Sequence, residues 1–78
     1  MKPLLFHKIG AGGEDSAAIR RFIVERELDQ EIEFFNVTYP SAAGQLRELT
    51  GTIEVPCLVA DKKIIRGKEE ILTWLEAY

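Results

Sequence analysis

The feature that most narrows the fold of this 78-residue chain is the two-residue interval Asp61-Lys62. It separates two apolar runs, Cys57 to Ala60 and Lys63 to Arg66, within "EVPCLVADKKIIRG". Strands joined by so short a turn lie antiparallel, because parallel strands need a crossover of about a dozen residues or more. The first half of the chain reads differently. "PLLFH", residues 3 to 7, is a continuous apolar run of the kind that suits a strand buried on both faces. After the loop "KIGAGGED", Ile19, Phe22 and Ile23 recur at helical spacing, with Arg20, Arg21, Glu25 and Arg26 on other faces. "EIEFFNVTY", residues 31 to 39, is β-branched and aromatic and predicts a second strand. That β-α-β unit is expected to be right-handed and parallel. A parallel unit and an antiparallel hairpin in one sheet make the sheet mixed.

Three helices complete the pattern. Ser16 or Asp15 is placed to cap the first, and Glu14 and Asp15 suit the positive end of its dipole. "PSAAGQLRELTG" predicts a short second helix, capped by Ser41, with Leu46 and Leu49 facing the core and Gly51 as a left-handed stop. "KEEILTWLEAY" predicts a last helix with Ile71, Leu72 and Leu75 inward and Trp74 and Tyr78 at its margin. The expected architecture is one α/β domain over residues 1–78, ordered β-α-β-α-β-β-α. It is a four-stranded mixed sheet with three helices distributed over both faces.

Composition excludes several functions. A net charge of −3 and a pI near 5.1 argue against non-specific nucleic-acid binding, which needs a basic surface. One Cys permits no intramolecular disulfide and fits a reducing compartment. No apolar run approaches the roughly 20 residues of a membrane-spanning helix. "MKPLLFHKIG" lacks the long apolar core and cleavage site of a secretory signal, so a cytoplasmic protein without a membrane partner is expected. His7 has no second soft ligand near it in sequence, so a capping or partly exposed role is favoured over a metal site. "GAGG" between a strand and a helix suggests a phosphate-cradling loop. The third glycine position of a dinucleotide fingerprint is Asp15, however, and Glu14 and Asp15 would repel phosphate.

The second half carries a family resemblance. "LRELTGTIEVPCLVADKKIIRGKEEIL" is similar to the glutaredoxin stretch in which a Thr-Val-Pro turn precedes a strand, a hairpin and a Gly-Gly-x-Asp-Asp/Glu helix start. Here the turn is Glu54-Val55-Pro56 and the helix start is Arg66-Gly67-Lys68-Glu69-Glu70. In element order and length the whole chain resembles the thioredoxin fold in its minimal, glutaredoxin form. The N-terminal domain of glutathione transferases is a near relative. That domain normally shows a Glu-Ser pair where this chain has Gly67-Lys68, and it is followed by a helical second domain. The resemblance implies a cis Val55–Pro56 bond, against the alternative of an ordinary Pro at a strand start. It also implies that the backbone of Val55 pairs with glutathione or an extended peptide. It further implies that Lys8, Lys68 and Glu69, with the N–H groups at Gly67-Lys68, grip glutathione's charged ends. The plain alternative for these three charges is solvated surface.

One departure governs the expected function. The family uses Cys-x-x-Cys or Cys-x-x-Ser at the start of the first helix, where the helix N-terminus stabilises a thiolate. Registering Phe22 and Ile23 on the family's inward apolar pair puts Gly13 at the first Cys position and Ser16 at the second. No thiol precedes Cys57 in any register. The expectation is a glutaredoxin-like binding or regulatory domain that is not an enzyme and carries no cofactor or metal. Its expected partner is a protein segment or extended peptide, or glutathione as a ligand, in a groove beside Val55 and Pro56; a homodimer is compatible with this reading. The alternative is an atypical glutathione-linked thiol–disulfide oxidoreductase using Cys57. Against it, a lone Cys after Pro56 is also the usual small apolar residue of a buried strand.

Overall fold

The first strand, β1 (Leu4–His7), leads through a glycine-rich loop into α1 (Glu14–Glu25) and returns as β2 (Glu33–Asn36). Next come α2 (Pro40–Thr50), β3 (Cys57–Ala60), β4 (Lys63–Arg66) and α3 (Lys68–Glu76). A computed structural model describes residues 2–78. The sheet order is β2-β1-β3-β4. β1 pairs parallel with β2, while β1–β3 and β3–β4 are antiparallel, so the chain is α/β with three helices and a four-stranded mixed sheet. Among the described residues no helix is long and apolar enough to cross a membrane.

The strand period of two sorts side chains onto two faces. Leu5, Phe34, Leu58 and Ile65 join Ile19 and Ile23 of α1 and Ile71 and Leu75 of α3. Phe6, Phe35, Cys57 and Val59 join Leu46 of α2 on the other face. Helices therefore cover both sides, and the central pair β1–β3 is the most deeply buried. Phe6 and Phe35 stack there with ring centroids 5.1 Å apart. Burying one such Leu, Ile or Phe contributes about 1.5–3 kcal/mol.

Several local expectations need correction. The second strand spans Glu33–Asn36 rather than residues 31 to 39, because Thr38 and Tyr39 already turn toward α2. Asn36 closes that turn by accepting the Thr38 N–H on its side-chain oxygen. Ser41 does not cap α2, and no side chain does; Pro40 opens the helix at a position where the missing N–H is no loss. Leu49 does not face the core but is 45% exposed, whereas Leu46, three residues earlier, is fully buried. α2 is covered only along the line of Ala42 and Leu46, and Leu49 falls off that line. Gly51 does supply the left-handed stop, at φ 86°, and its N–H donates to Arg47 O. The hairpin has the boundaries read from the sequence, with Asp61 at φ 54° in its turn.

Leu46→Ala is expected to destabilise the protein by about 2–5 kcal/mol. Leu49→Ala should change stability by no more than about 0.5 kcal/mol. Urea unfolding of both variants measures the contrast, and equal losses would contradict the placement of α2.

Candidate functional site

The site is built where β1 ends. β1–β2 pairing reaches His7↔Asn36, and Val37 donates its N–H to His7 O at 2.9 Å. His7 thus turns its backbone toward β2. The next residue in a strand turns the other way, so Lys8 would face β3. It does not extend that ladder. The Lys8 N–H donates to Ser16 Oγ at 3.2 Å, and Arg20 Nη1 donates to Lys8 O at 3.0 Å. The β1–β3 ladder accordingly stops at Phe6↔Cys57. Continuing its register sets Val55 across from Lys8. Among the described residues neither the N–H nor the C=O of Val55 finds a hydrogen-bond partner.

Helix α1 does not begin as expected. Its N-cap is Gly13, and neither Ser16 nor Asp15 makes a capping bond. Ser16 lies inside the first turn, 1% exposed, and serves β1 instead. Gly13 is buried and packs against the chain that enters the loop. A Cβ there would stand 2.6 Å from Lys8 O, closer than real Cβ atoms sit, and a tight 3.2 Å from Gly10 O. Its φ of −108° is ordinary, so glycine is required by space rather than by backbone angle. A side chain of any kind, cysteine included, needs the loop to move. Glu14 and Asp15 are exposed in the first turn and put two anions at this entry.

His7 is not partly exposed, as expected from the sequence, but buried at 6%. Its ring meets Phe34 edge-on at 5.8 Å, and its Nδ1 lies 3.1 Å from Arg20 Nη1. A guanidinium has no acceptor, so Nδ1 accepts and the ring is neutral. Burial pushes the His7 pKa below its ordinary 6.5, and the Arg20 cation pushes it further the same way. The sequence pattern places Arg20 on an outer face, yet it ties α1 to both His7 and Lys8. The signal was present, because Ser16, Ile19, Arg20 and Ile23 follow the i, i+3, i+4, i+7 spacing of one helix face.

The remaining candidates gather at the same end of the sheet, because Phe6↔Cys57 and Cys57↔Arg66 are the last pairs of their ladders. The Val55–Pro56 bond is cis. Val55 and Pro56 are half-buried and precede β3. Gly67, at φ 87°, is the N-cap of α3 and follows β4 directly. Lys68 and Glu69 open α3, with Lys68 Nζ 3.8 Å from Glu69 Oε2, a long and largely exposed pair. Lys8 is exposed, with its ammonium 3.3 Å from where a Gly12 Cβ would be.

Cys57 is fully buried. Burial pushes its thiol pKa up, and the nearby Arg66 guanidinium only partly opposes this. Arg66 is shared: its Nη2 also donates to Thr50 O at 3.3 Å and to Thr52 Oγ1 at 3.4 Å, at the C-terminal end of α2. Among the described residues no three His, Cys, Asp or Glu side chains come close enough together to hold a metal ion. The arrangement offers free backbone groups, a helix start and scattered charges, with no exposed thiol among the described residues. No protein-family model and no curated protein matches the chain.

Two predictions follow from this geometry. Gly13→Ala should destabilise by about 1–3 kcal/mol through overpacking on Lys8. Gly44→Ala, in α2 with open space around it, should instead stabilise by about 0.5–1 kcal/mol. Opposite shifts in the urea midpoint test the pair. The second concerns pH. The folded His7 pKa lies below 6.5, so as pH falls the unfolded chain takes up this proton first. The stability it contributes is complete above 6.5 and declines as pH drops below that value. The urea midpoint should fall between about pH 7 and about pH 5, and His7→Gln should flatten that step. A slope unchanged in the variant would contradict a neutral buried ring.

Proposed function

We propose that the chain is a glutaredoxin-like domain of thioredoxin fold in which the redox motif is absent, and that it works by binding. Its ligand is an extended peptide or a peptide-like thiol, glutathione, laid along the backbone of Val55. The observation that carries this reading is the unpaired Val55 N–H and C=O, exposed to a partner because Lys8 has given its own backbone groups to α1. Free main-chain groups beside a half-open strand recognise another main chain, and they do so with little regard to side chains. The N–H groups that open α3 after Gly67 have no partner within the helix and suit a carboxylate. Lys8 supplies a cation on the facing side. Glu14 and Asp15 oppose an anionic ligand, so binding is weak. The sheet order and the cover of helices on both faces are compatible with this family assignment.

The redox alternative places the chemistry on Cys57. Its sulfur is fully buried and held in the thiol form, which is the opposite of what nucleophilic exchange requires. No observation favours that reading over binding.

Amide chemical shifts measured during addition of reduced glutathione test the proposal. Changes should cluster at Lys8, Val55 and Lys68. A spectrum that stays still at those residues up to millimolar ligand removes glutathione. The same null result with an uncharged extended peptide removes the groove as a binding site.

A further inference from the structure

The β3–β4 hairpin turn lies at the opposite end of the sheet from Val55. β4 is an edge strand. A two-residue turn closes on a hydrogen-bonded pair, here Ala60↔Lys63, and bonded and non-bonded pairs alternate from there. Lys63 and Ile65 therefore commit their backbone groups to β3. Ile64 and Arg66 turn theirs outward, and among the described residues nothing meets them. Ile64 is 44% exposed. Beside the turn lies a cavity of about 390 Å³ lined by Ala60, Asp61, Lys62, Lys63 and Trp74. The Trp74 ring is backed by Tyr78, centroids 5.1 Å apart. Ala60 and Lys63 share the sheet face of Ile65, so the cavity opens on that face next to the strand edge.

We propose that the open edge of β4 and the Trp74 cavity together dock an extended acidic segment of another protein. The segment adds as a fifth strand and seats one large apolar side chain against Trp74. Charge selects this occupant. In a chain of net charge −3, the hairpin and edge carry Lys62, Lys63 and Arg66 against the single acid Asp61. Among the described residues Lys62 and Lys63 have no ion-pair partner. Lysines on an edge strand discourage pairing with a second copy of the same edge, and they favour a strand of opposite sign. The cavity supplies the side-chain pocket that main-chain pairing alone lacks. This site is distinct from the Val55 groove and stands or falls without it.

Trp74 is the only tryptophan, so its emission reports the cavity directly. The probe is a synthetic peptide alternating Glu and Val with one central Phe, compared with the same peptide bearing Lys in place of Glu. The acidic peptide should shift Trp74 emission to saturation. The Lys peptide should bind at least about tenfold more weakly, as should the acidic peptide to the Lys62→Glu/Lys63→Glu variant, whose changes are at exposed positions. Ile64→Pro removes an outward N–H without breaking a ladder bond, and should weaken binding by about tenfold at unchanged circular dichroism. An unmoved Trp74 signal, or equal response to both peptides, overturns the proposal. Sedimentation of the protein alone supplies the other arm. Concentration-dependent association that disappears in Lys62→Glu/Lys63→Glu would assign the edge to a second copy and overturn it as well.

Discussion

The contact on which the rest of the molecule depends is the seating of Lys8 under the start of α1. Its N–H is held by Ser16, its C=O by Arg20, and that same carbonyl fills the space where a Gly13 side chain would be. The hydrogen bonds alone are modest. A neutral one contributes about 0.5–1.5 kcal/mol net, and one from a guanidinium somewhat more. The close packing of Gly13 is what makes the arrangement exclusive, since any other residue there displaces the loop. Three consequences follow from one peptide unit. α1 is pitched against the end of β1, His7 is buried with its Nδ1 as acceptor, and the β1–β3 ladder ends before Val55.

These consequences bear on function in opposite directions. A reactive thiol at a helix start needs a Cβ at the N-cap and a positive environment. Here the N-cap has no room for a Cβ, and Glu14 and Asp15 make the surroundings negative. Backbone recognition needs neither. It needs a stretch of strand whose main-chain groups are left unanswered, which is what the diversion of Lys8 creates at Val55. The contact that leaves no room for a side chain at Gly13 is therefore the one that leaves the Val55 backbone unpaired. A cysteine at Gly13 would displace the loop that seats Lys8.

How far this could be read from the sequence depends on whether the cause was local. The hairpin boundaries follow from a two-residue turn between two short apolar runs, both local, and they agree with the structure. Gly51 likewise follows from a conformation only the last turn of a helix requires. The misplaced features all depend on a second element. Ser16 and Ser41 have capping side chains in isolation, but Lys8 draws Ser16 inward and Pro40 pre-empts Ser41. Leu49 has the spacing of a core residue, yet α2 is buried only along the line of Ala42 and Leu46, which Leu49 leaves. His7 is buried because Arg20 and Phe34 converge on it from two other elements. The candidate site was legible as a place, because Lys8, Val55, Pro56, Gly67 and Lys68 do reach one end of the sheet. That Val55 would be left unpaired was not legible, since it depends on where Lys8 turns.

A net charge of −3 describes neither end of this sheet. The end bearing α1 presents Glu14 and Asp15 together with Lys8 and Lys68 around an unpaired strand backbone, while the hairpin presents Lys62 and Lys63 around an open edge. Screening over about 8–10 Å separates fields at opposite ends of a body 29 Å long. Each end then presents its own local charge. Under the two proposals an acidic ligand is opposed by Glu14 and Asp15 at the Val55 end and attracted by Lys62 and Lys63 at the β4 edge. The two open backbones are chemically alike, and it is the charge around each that makes them different sites.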